Sequence, residues 1–378
     1  MKPSNIVSIL LIGIILFQAQ NTNAQKSNYT EGRKLTLEQA IEEALQNNGE
    51  MKIANYDIKM QQSLKSGSVS VPKTEFSYSS GATSSPDQRD NILSVTQRID
   101  FPTLYTNQYR LGKEKVISSE RLKGIKQNEL ISNVKSAYFQ YVYYSEIRKL
   151  LIHQAEIYDN LDRSSLKRYQ TGESTKLESV TSSVQSMQIK NKLQQNNSDL
   201  MISKRQLQVL LNTEDNVTIA DTVLNPITFN LPLDIQIISN SPTIQYLQQE
   251  LNVSKQETKV ERSKILPDII LGYNSQTYKG VQSVNNVNSF YNGKDRFSTF
   301  SVGLAIPIYF GGYRSKIKAS KISESIVQTK IDLANTQLQG ELLKLIQQYY
   351  KLKTALNYYQ SEALPQAELI IGTSEAGF

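Results

Sequence analysis

Cysteine and tryptophan are absent from this chain of 378 residues, and histidine occurs once. With no thiol there is no disulfide scaffold, no zinc-thiolate site, no cysteine nucleophile and no N-terminal cysteine to carry a lipid. His153 has no histidine or cysteine partner with which to hold zinc or copper, so it reads as a packing or solvated residue. The five methionines form no cluster. No Ser-His-Asp order, phosphate loop or H-E-x-x-H run occurs, so no catalytic, cofactor-binding or metal-binding residue is assigned and the chain reads as a non-enzyme.

Long apolar runs are lacking too. Past the N-terminal region nothing approaches about 18 consecutive apolar residues, so any membrane contact has to come from β-strands or from the surface. Charge of one sign is equally missing: 42 Lys and Arg stand against 35 Asp and Glu, a net +7, and the two signs interleave. That pattern describes solvated helix faces and excludes a nucleic-acid partner. A mean hydropathy of −0.42 fits long amphipathic helices without one thick core.

What is present begins with an export signal. Lys2 precedes the twelve-residue apolar run Ile6 to Phe17 and a polar stretch closing on Thr22-Asn23-Ala24. A bilayer-spanning helix needs about 20 apolar residues, so residues 1–24 read as a cleavable signal peptide.

The remainder repeats one plan. Thr36 and Gln39 form a capping box before a helix reaching about Leu64 and broken before Pro72. Phe76 and Tyr78, then Leu93, Val95 and Ile99, alternate with polar residues on either side of the turn-forming stretch Gly81 to Asp90, which predicts a hairpin over about 75–101. From Thr103 to Gln170 there is no proline, and apolar residues recur at helical steps; the helix should be roughly 100 Å long, a length that suits coiled coils and helical tubes. Gly172 turns the chain, with Ser174 as the expected cap of a returning helix over about Thr175 to Leu211. The second copy has a helix over about Ser241 to Ile265 and Pro267, then a hairpin over about 268–308 with a Gly/Asn/Ser-rich loop at Lys279 to Arg296, and another long helix. The expected organisation is thus 25–232 as first repeat, with its turn at 168–174, and 233–378 as second.

Strands with Phe300, Val302, Leu304 and Ile306 on one side and Ser301, Gly303 and Ala305 on the other suit a wall with lipid outside and water inside. Four strands cannot close a barrel, and an open edge in lipid leaves backbone groups unpaired. Two copies would make eight strands with a filled interior; three make twelve and a lumen.

At this point the residues resemble a known family, the TolC-like outer membrane efflux proteins, over essentially the whole mature chain. The resemblance is carried by the opening helix Leu35 to Ala44, the strand-to-helix junctions Gln97 to Pro102 and Ala305 to Gly312, and the turn Arg168-Tyr169-x-x-Gly172-Glu173. It implies a mainly α fold with β: long antiparallel helices forming a periplasmic α-barrel, and two hairpins per chain contributing to a trimeric 12-stranded outer-membrane β-barrel. It further implies a homotrimer in outer-membrane lipid with a periplasmic extension, a passive conduit served by a periplasmic adaptor and an inner-membrane RND-type pump. No cofactor is implied. Arg168, Tyr169, Gly172 and Glu173 would form the periplasmic tip, gate or adaptor contact, with Phe378 at the corresponding place in the second copy. Val260 to Asp268 and Leu364-Pro365 look like the branch beside heavy-metal pumps. The chain departs from relatives that carry a lipidated cysteine, and its second tip turn is absent. A reading of another class is a periplasmic coiled-coil adaptor or structural rod.

Gln366-Ala367-Glu368 parallels Gln154-Ala155-Glu156, and Ala376-Gly377-Phe378 stands where Arg168-Tyr169 stood. The second repeat is therefore expected to be truncated, with a turn and return helix of roughly 50 residues beyond Phe378.

Overall fold

The computed structural model describes residues 32–85, 88–221, 224 and 235–376. The expected signal peptide, residues 1–24, and Phe378 lie outside the described residues. The elements are β1 (Arg33–Leu35), α1 (Leu37–Asn47), α2 (Gly49–Ser66), β2 (Glu75–Ser85), β3 (Gln88–Ile99), α3 (Pro102–Gln170), α4 (Lys176–Leu211), β4 (Val217–Ile219), α5 (Pro242–Ser263), β5 (Asp268–Val284), β6 (Val287–Ala305), α6 (Gly311–Tyr358) and α7 (Leu364–Ala376). The fold class is mainly α with two β-hairpins, as expected from the sequence. The chain forms two compact units: the described residues up to Glu43 with Val134–Leu224, and Ala44–Asn133 with the described residues from Ile235 on.

Local chemistry accounts for the boundaries. The backbone N–H of Thr36 donates to Gln39 Oε1 at 3.0 Å and that of Gln39 to Thr36 Oγ1 at 3.3 Å, a reciprocal capping box that opens α1. The helix expected to run on to Leu64 is instead interrupted at Asn48. Asn48 has extended ψ (138°), and its Oδ1 accepts from Glu50 N at 2.8 Å, so it caps a second helix. An Asn side chain that competes for backbone donors ends one helix and starts the next. The cap of α4 is Thr175, whose Oγ1 accepts from Glu178 N at 3.3 Å, while Ser174 donates its hydroxyl to Glu178 Oε2. The sequence expectation of Ser174 as cap is off by one residue.

In the first unit α3 and α4 run antiparallel. Asn196 donates to Tyr144 O at 3.0 Å, Ser186 to Asp159 Oδ1 at 2.6 Å, and Arg168 pairs with Glu178, so partners ascend one helix as they descend the other. The α4 positions turned into this unit are Ser179, Ser182, Ser186, Asn196, Ser203, Leu207 and Leu211, mostly small and polar. Apart from Leu207 and Leu211 near its C-terminus, large apolar residues of α4 face outward: Leu177 is 76% and Met201 75% exposed. Small seam residues let helices approach closely but bury little apolar area.

The base of that unit is a polar knot. Three-residue strands β1 and β4 pair in parallel, with Lys34 opposite Thr218. Tyr138, fully buried on α3, donates its hydroxyl to Asp221 Oδ2 at 2.7 Å and lies 3.1 Å from the Leu35 carbonyl. Burial first, then the hydrogen bond to Asp221, pushes the Tyr138 phenol up to about 12.

In the second unit the N-terminal part of α3 packs on α2 and α5. A Cβ on Gly112 would stand 3.0 Å from Lys65 Cα, so this glycine sets the α2–α3 approach. Gln249 on α5 donates to Glu114 O and Oε2, and Asn107 to Ser263 Oγ at 2.8 Å. After α6 the backbone passes through a π-turn at Tyr359–Ala363 before α7. Pro365 has no N–H and its ring would clash with the carbonyl four residues back, a conflict that a wider turn relieves.

Tyr138→Phe leaves Asp221 and the Leu35 carbonyl without the phenol, so urea unfolding should show a loss of about 1–3 kcal/mol. Because the folded phenol titrates at about 12 against an ordinary 10.0, the contribution is full below pH 10.0 and lost as pH rises toward 12. Wild type and variant should converge over that window.

Candidate functional site

Two places bear on function: the sheet made by the hairpins, and the turn between α3 and α4. Strands β2-β3-β5-β6 form one antiparallel sheet in that order, leaving β2 and β6 as edges. Directly opposed residues share a face. Register therefore sorts the side chains. Phe76, Val95, Tyr273 and Phe300 form one row; Leu271 and Val302, then Ile99, Ile269 and Leu304, continue it; Leu93 and Tyr78 extend it the other way. The opposite face carries Glu75, Thr96, Gly272 and Ser301 in one row and Ser77, Ser94, Asn274 and Thr299 in the next. Phe300 is 81% and Val302 78% exposed, so nothing among the described residues covers the apolar face there.

Phe300, Val302 and Leu304 thus lie on one face of β6, and Ser301 and Gly303 on the other. Ile306 lies beyond the last strand residue, Ala305. The stretch Lys279 to Arg296, read from sequence as a loop, is mostly strand. Its turn is Asn285-Asn286, both with positive φ (53° and 63°), the left-handed pair of a two-residue hairpin turn. The first hairpin likewise extends to Ser85 and resumes at Gln88, where turn-forming composition suggested loop from Gly81. Strands whose one face is small and polar look like loops in composition.

Toward the hairpin tips both faces change. On the apolar side Arg296 donates from Nε to Ser275 Oγ at 2.9 Å, from Nη1 to Asn91 Oδ1 at 2.9 Å and from Nη2 to Ser275 O at 3.0 Å. On the other side Tyr278, Tyr291 and Phe297 cluster, with ring centroids 5.0 Å apart for Tyr278 and Phe297 and 5.4 Å for Tyr291 and Phe297.

At the helical turn the structure brings Arg168, Tyr169, Gly172 and Glu173 together. Gly172 has φ +79°, its N–H donates to Tyr169 O at 3.1 Å, and the Glu173 N–H donates to Arg168 O at 2.8 Å. These two bonds are a Schellman stop, which satisfies the last carbonyls of α3. Arg168 also reaches across to Glu178 Oε1 at 3.5 Å, a contact that spacing alone did not reveal. Two turns back, Lys190 and Ser186 hydrogen-bond Asp159 and hold its carboxyl below the usual range, the Lys190 contact contributing most.

His153 sits inside α3. Among the described residues no group of three or more His, Cys, Asp and Glu side chains could hold a metal ion, and no helix is long and apolar enough to cross a membrane.

No protein-family model and no curated protein matches the chain. Solved structures do. The chain is similar to CusC, described as forming a transmembrane channel, at 17% identity over 92% of this chain and 83% of that one, with a TM-score of 0.73. It is similar to the CmeC outer membrane channel of Campylobacter jejuni at 17% identity over 89% and 77%, TM-score 0.66. It is also similar to the outer membrane protein VceC of Vibrio cholerae at 14% identity over 90% and 84%, TM-score 0.66. At these identities the likeness establishes a shared fold.

Gly172→Ala meets no steric neighbour, since nothing lies within 4 Å of the added Cβ, so its cost comes from positive φ alone. That cost should be about 1 kcal/mol, with Gly172→Asn milder, read as faster proteolysis at the turn. Asp159 adds a pH dependence. Its folded pKa lies below 3.8, so its contribution is present above pH 3.8 and lost as pH falls through the lower folded value. Amide exchange in α4 should be faster in Asp159→Asn at neutral pH, and the difference should vanish in acid.

Proposed function

We propose that the chain is one subunit of a homotrimeric outer-membrane efflux channel, a passive conduit whose helices extend into the periplasm to meet an adaptor and an inner-membrane RND-type pump. The observation that carries this reading is the hairpin sheet, which combines an uncovered apolar face, a small and polar face, and two unpaired edges. In lipid every free edge N–H and C=O costs several kcal/mol, so β6 of one copy pairs with β2 of the next. Three copies supply twelve strands, enough to enclose water. The shared fold with CusC, CmeC and VceC supports the same assignment.

In this reading the subunit does no bond chemistry. Its small-residue face lines the path, and its helices carry the path away from the membrane. The turn at Arg168, Tyr169, Gly172 and Glu173 is the periplasmic tip, where partners act by binding an open arrangement in preference to a closed one. Outward-facing Leu177, Val184 and Met201 on α4 and Ile322, Ile326 and Leu333 on α6 supply apolar surface for neighbouring copies and the adaptor. Val260 to Asp268 and Leu364-Pro365 support a place beside a heavy-metal pump.

The chain has no cysteine of its own, so introduced thiols report without background. In isolated membranes Phe300→Cys, Val302→Cys and Leu304→Cys should react with a bilayer-soluble label, and Ser301→Cys and Gly303→Cys with a water-soluble maleimide. Paired cysteines on β6 and β2 should cross-link copies into trimers. Uniform labelling, or release of the protein by carbonate, would overturn the channel reading and favour a soluble rod.

A further inference from the structure

The apolar face of the sheet ends in a row of cations on the hairpin-tip side. Along β6 that face runs Leu304, Val302, Phe300, Ser298 and then Arg296, which is paired with Thr277. Asn91 on β3 joins the row, its N–H donating to Thr277 Oγ1 at 3.0 Å. Two residues further along each strand, about 6.7 Å on, the same face carries Lys279 on β5, paired with Asn292, and Arg89 on β3. Register places no carboxylate in these two rows. The bulge between them holds Lys294 and Asp295.

Two of these cations are held in place. Arg296 is fixed by its bonds to Ser275 and Asn91, which occupy three of its five N–H groups and leave two outward. Lys279 is seated by Gly293, which has φ +79°: a Cβ there would stand 2.5 Å from Lys279 Cε, so only glycine lets the lysine stem lie across the bulge. Among the described residues none of Arg89, Lys279 and Arg296 takes part in an ion pair.

If the sheet is a barrel wall, as proposed above, the height of these cations follows from the strand. Leu304 to Arg296 is about 26 Å along β6, which a barrel tilt reduces to about 20 Å, close to the height of an outer-membrane apolar band. With Leu304 at the periplasmic boundary, Arg296 falls where hydrocarbon gives way to headgroups of the outer leaflet. A cation facing lipid is unfavourable at mid-membrane and nearly neutral at that boundary. A fixed guanidinium with two free N–H groups beside an ammonium matches phosphate, which Arg binds in a bidentate way and Lys as a point charge.

We propose that Arg296, Lys279 and Arg89 bind the phosphates of a phosphorylated glycolipid of the outer leaflet, so that each subunit carries one lipid-headgroup site on the outer wall of the barrel. The site rests on the channel reading but is separable from it.

Native mass spectrometry of the detergent-purified assembly tests it, with bisphosphorylated lipid A, monophosphorylated lipid A and phosphatidylglycerol as three titrants. Wild type should retain the bisphosphorylated glycolipid best. Lys279→Gln combined with Arg89→Gln, which removes none of the hydrogen bonds of Arg296, should weaken that binding by about tenfold or more, and Arg296→Lys should weaken it less because charge survives while the fork is lost. An intact trimer with equal affinity in wild type and double variant, or with no preference for phosphate number, overturns the lipid site and leaves the channel standing. A chain that purifies without detergent as a monomer overturns both.

Discussion

A hydrogen-bonded sheet edge cannot be left open in hydrocarbon, and in the proposed channel that constraint organises the rest of the molecule. Four strands in the order β2-β3-β5-β6 end on two unpaired edges. Among the described residues their apolar face stays exposed at Phe76, Phe300 and Val302. Either feature alone suits many proteins; together they require a partner that offers both strand pairing and an apolar solvent. In the proposed channel a second copy offers the first and a membrane the second. Closure by copies of the same chain then fixes the alternation of side chains, because a one-residue slip would turn Phe300 and Val302 into the water path.

The helices solve a related problem by a different route. In most antiparallel helical pairs the large apolar residues meet in the seam. Here the seam between α3 and α4 is lined by Ser179, Ser182, Ser186 and Ser203, while Leu177, Val180, Val184 and Met187 face outward. Apolar burial within the unit is concentrated at its base, around Val134, Val142, Leu207 and Leu211 near the knot at Tyr138, and toward the turn the hairpin of helices is held by hydrogen bonds and ion pairs. The same inversion holds for α6, where only Ile331 and Ile346 are buried. Such helices are poor candidates for a lone monomer, since propensity alone adds little to their stability.

Much of this was legible in the sequence, for identifiable reasons. Strict alternation from Phe300 to Leu304 marks a strand with two unlike faces, and the run without proline from Thr103 to Gln170 marks α3. The glycine after Arg168-Tyr169 marks a Schellman stop. What escaped was governed by interactions without a local pattern. Asn48 ends α1 through a side-chain bond to Glu50 that composition does not distinguish from a solvated asparagine. The Asn285-Asn286 turn was hidden because strands facing water on one side share the vocabulary of loops. The parallel pairing of Arg33–Leu35 with Val217–Ile219 joins three-residue segments far apart in sequence, and Arg168 with Glu178 meet only once the turn is made. The cationic rows at Arg296 and Lys279 depend on register, which no single strand reveals.

The weakness of the α3–α4 seam has a functional consequence. Its cross-helix ties near the turn are the hydrogen bond of buried Ser186 to Asp159 and two solvent-accessible ion pairs, Asp159 with Lys190 and Arg168 with Glu178. Exposed pairs contribute about 0–1 kcal/mol each, and the serines between them add little apolar burial. The turn itself is firmly built by its backbone bonds, so the two helix ends move together as one hairpin. Its lateral neighbours, in contrast, can be exchanged at small cost. A partner that binds one arrangement of the tips about a hundredfold better than another supplies about 2.7 kcal/mol, more than two such surface pairs provide. In the proposed channel, a rigid turn on a weakly tied seam is the combination that lets protein partners set whether the path is open.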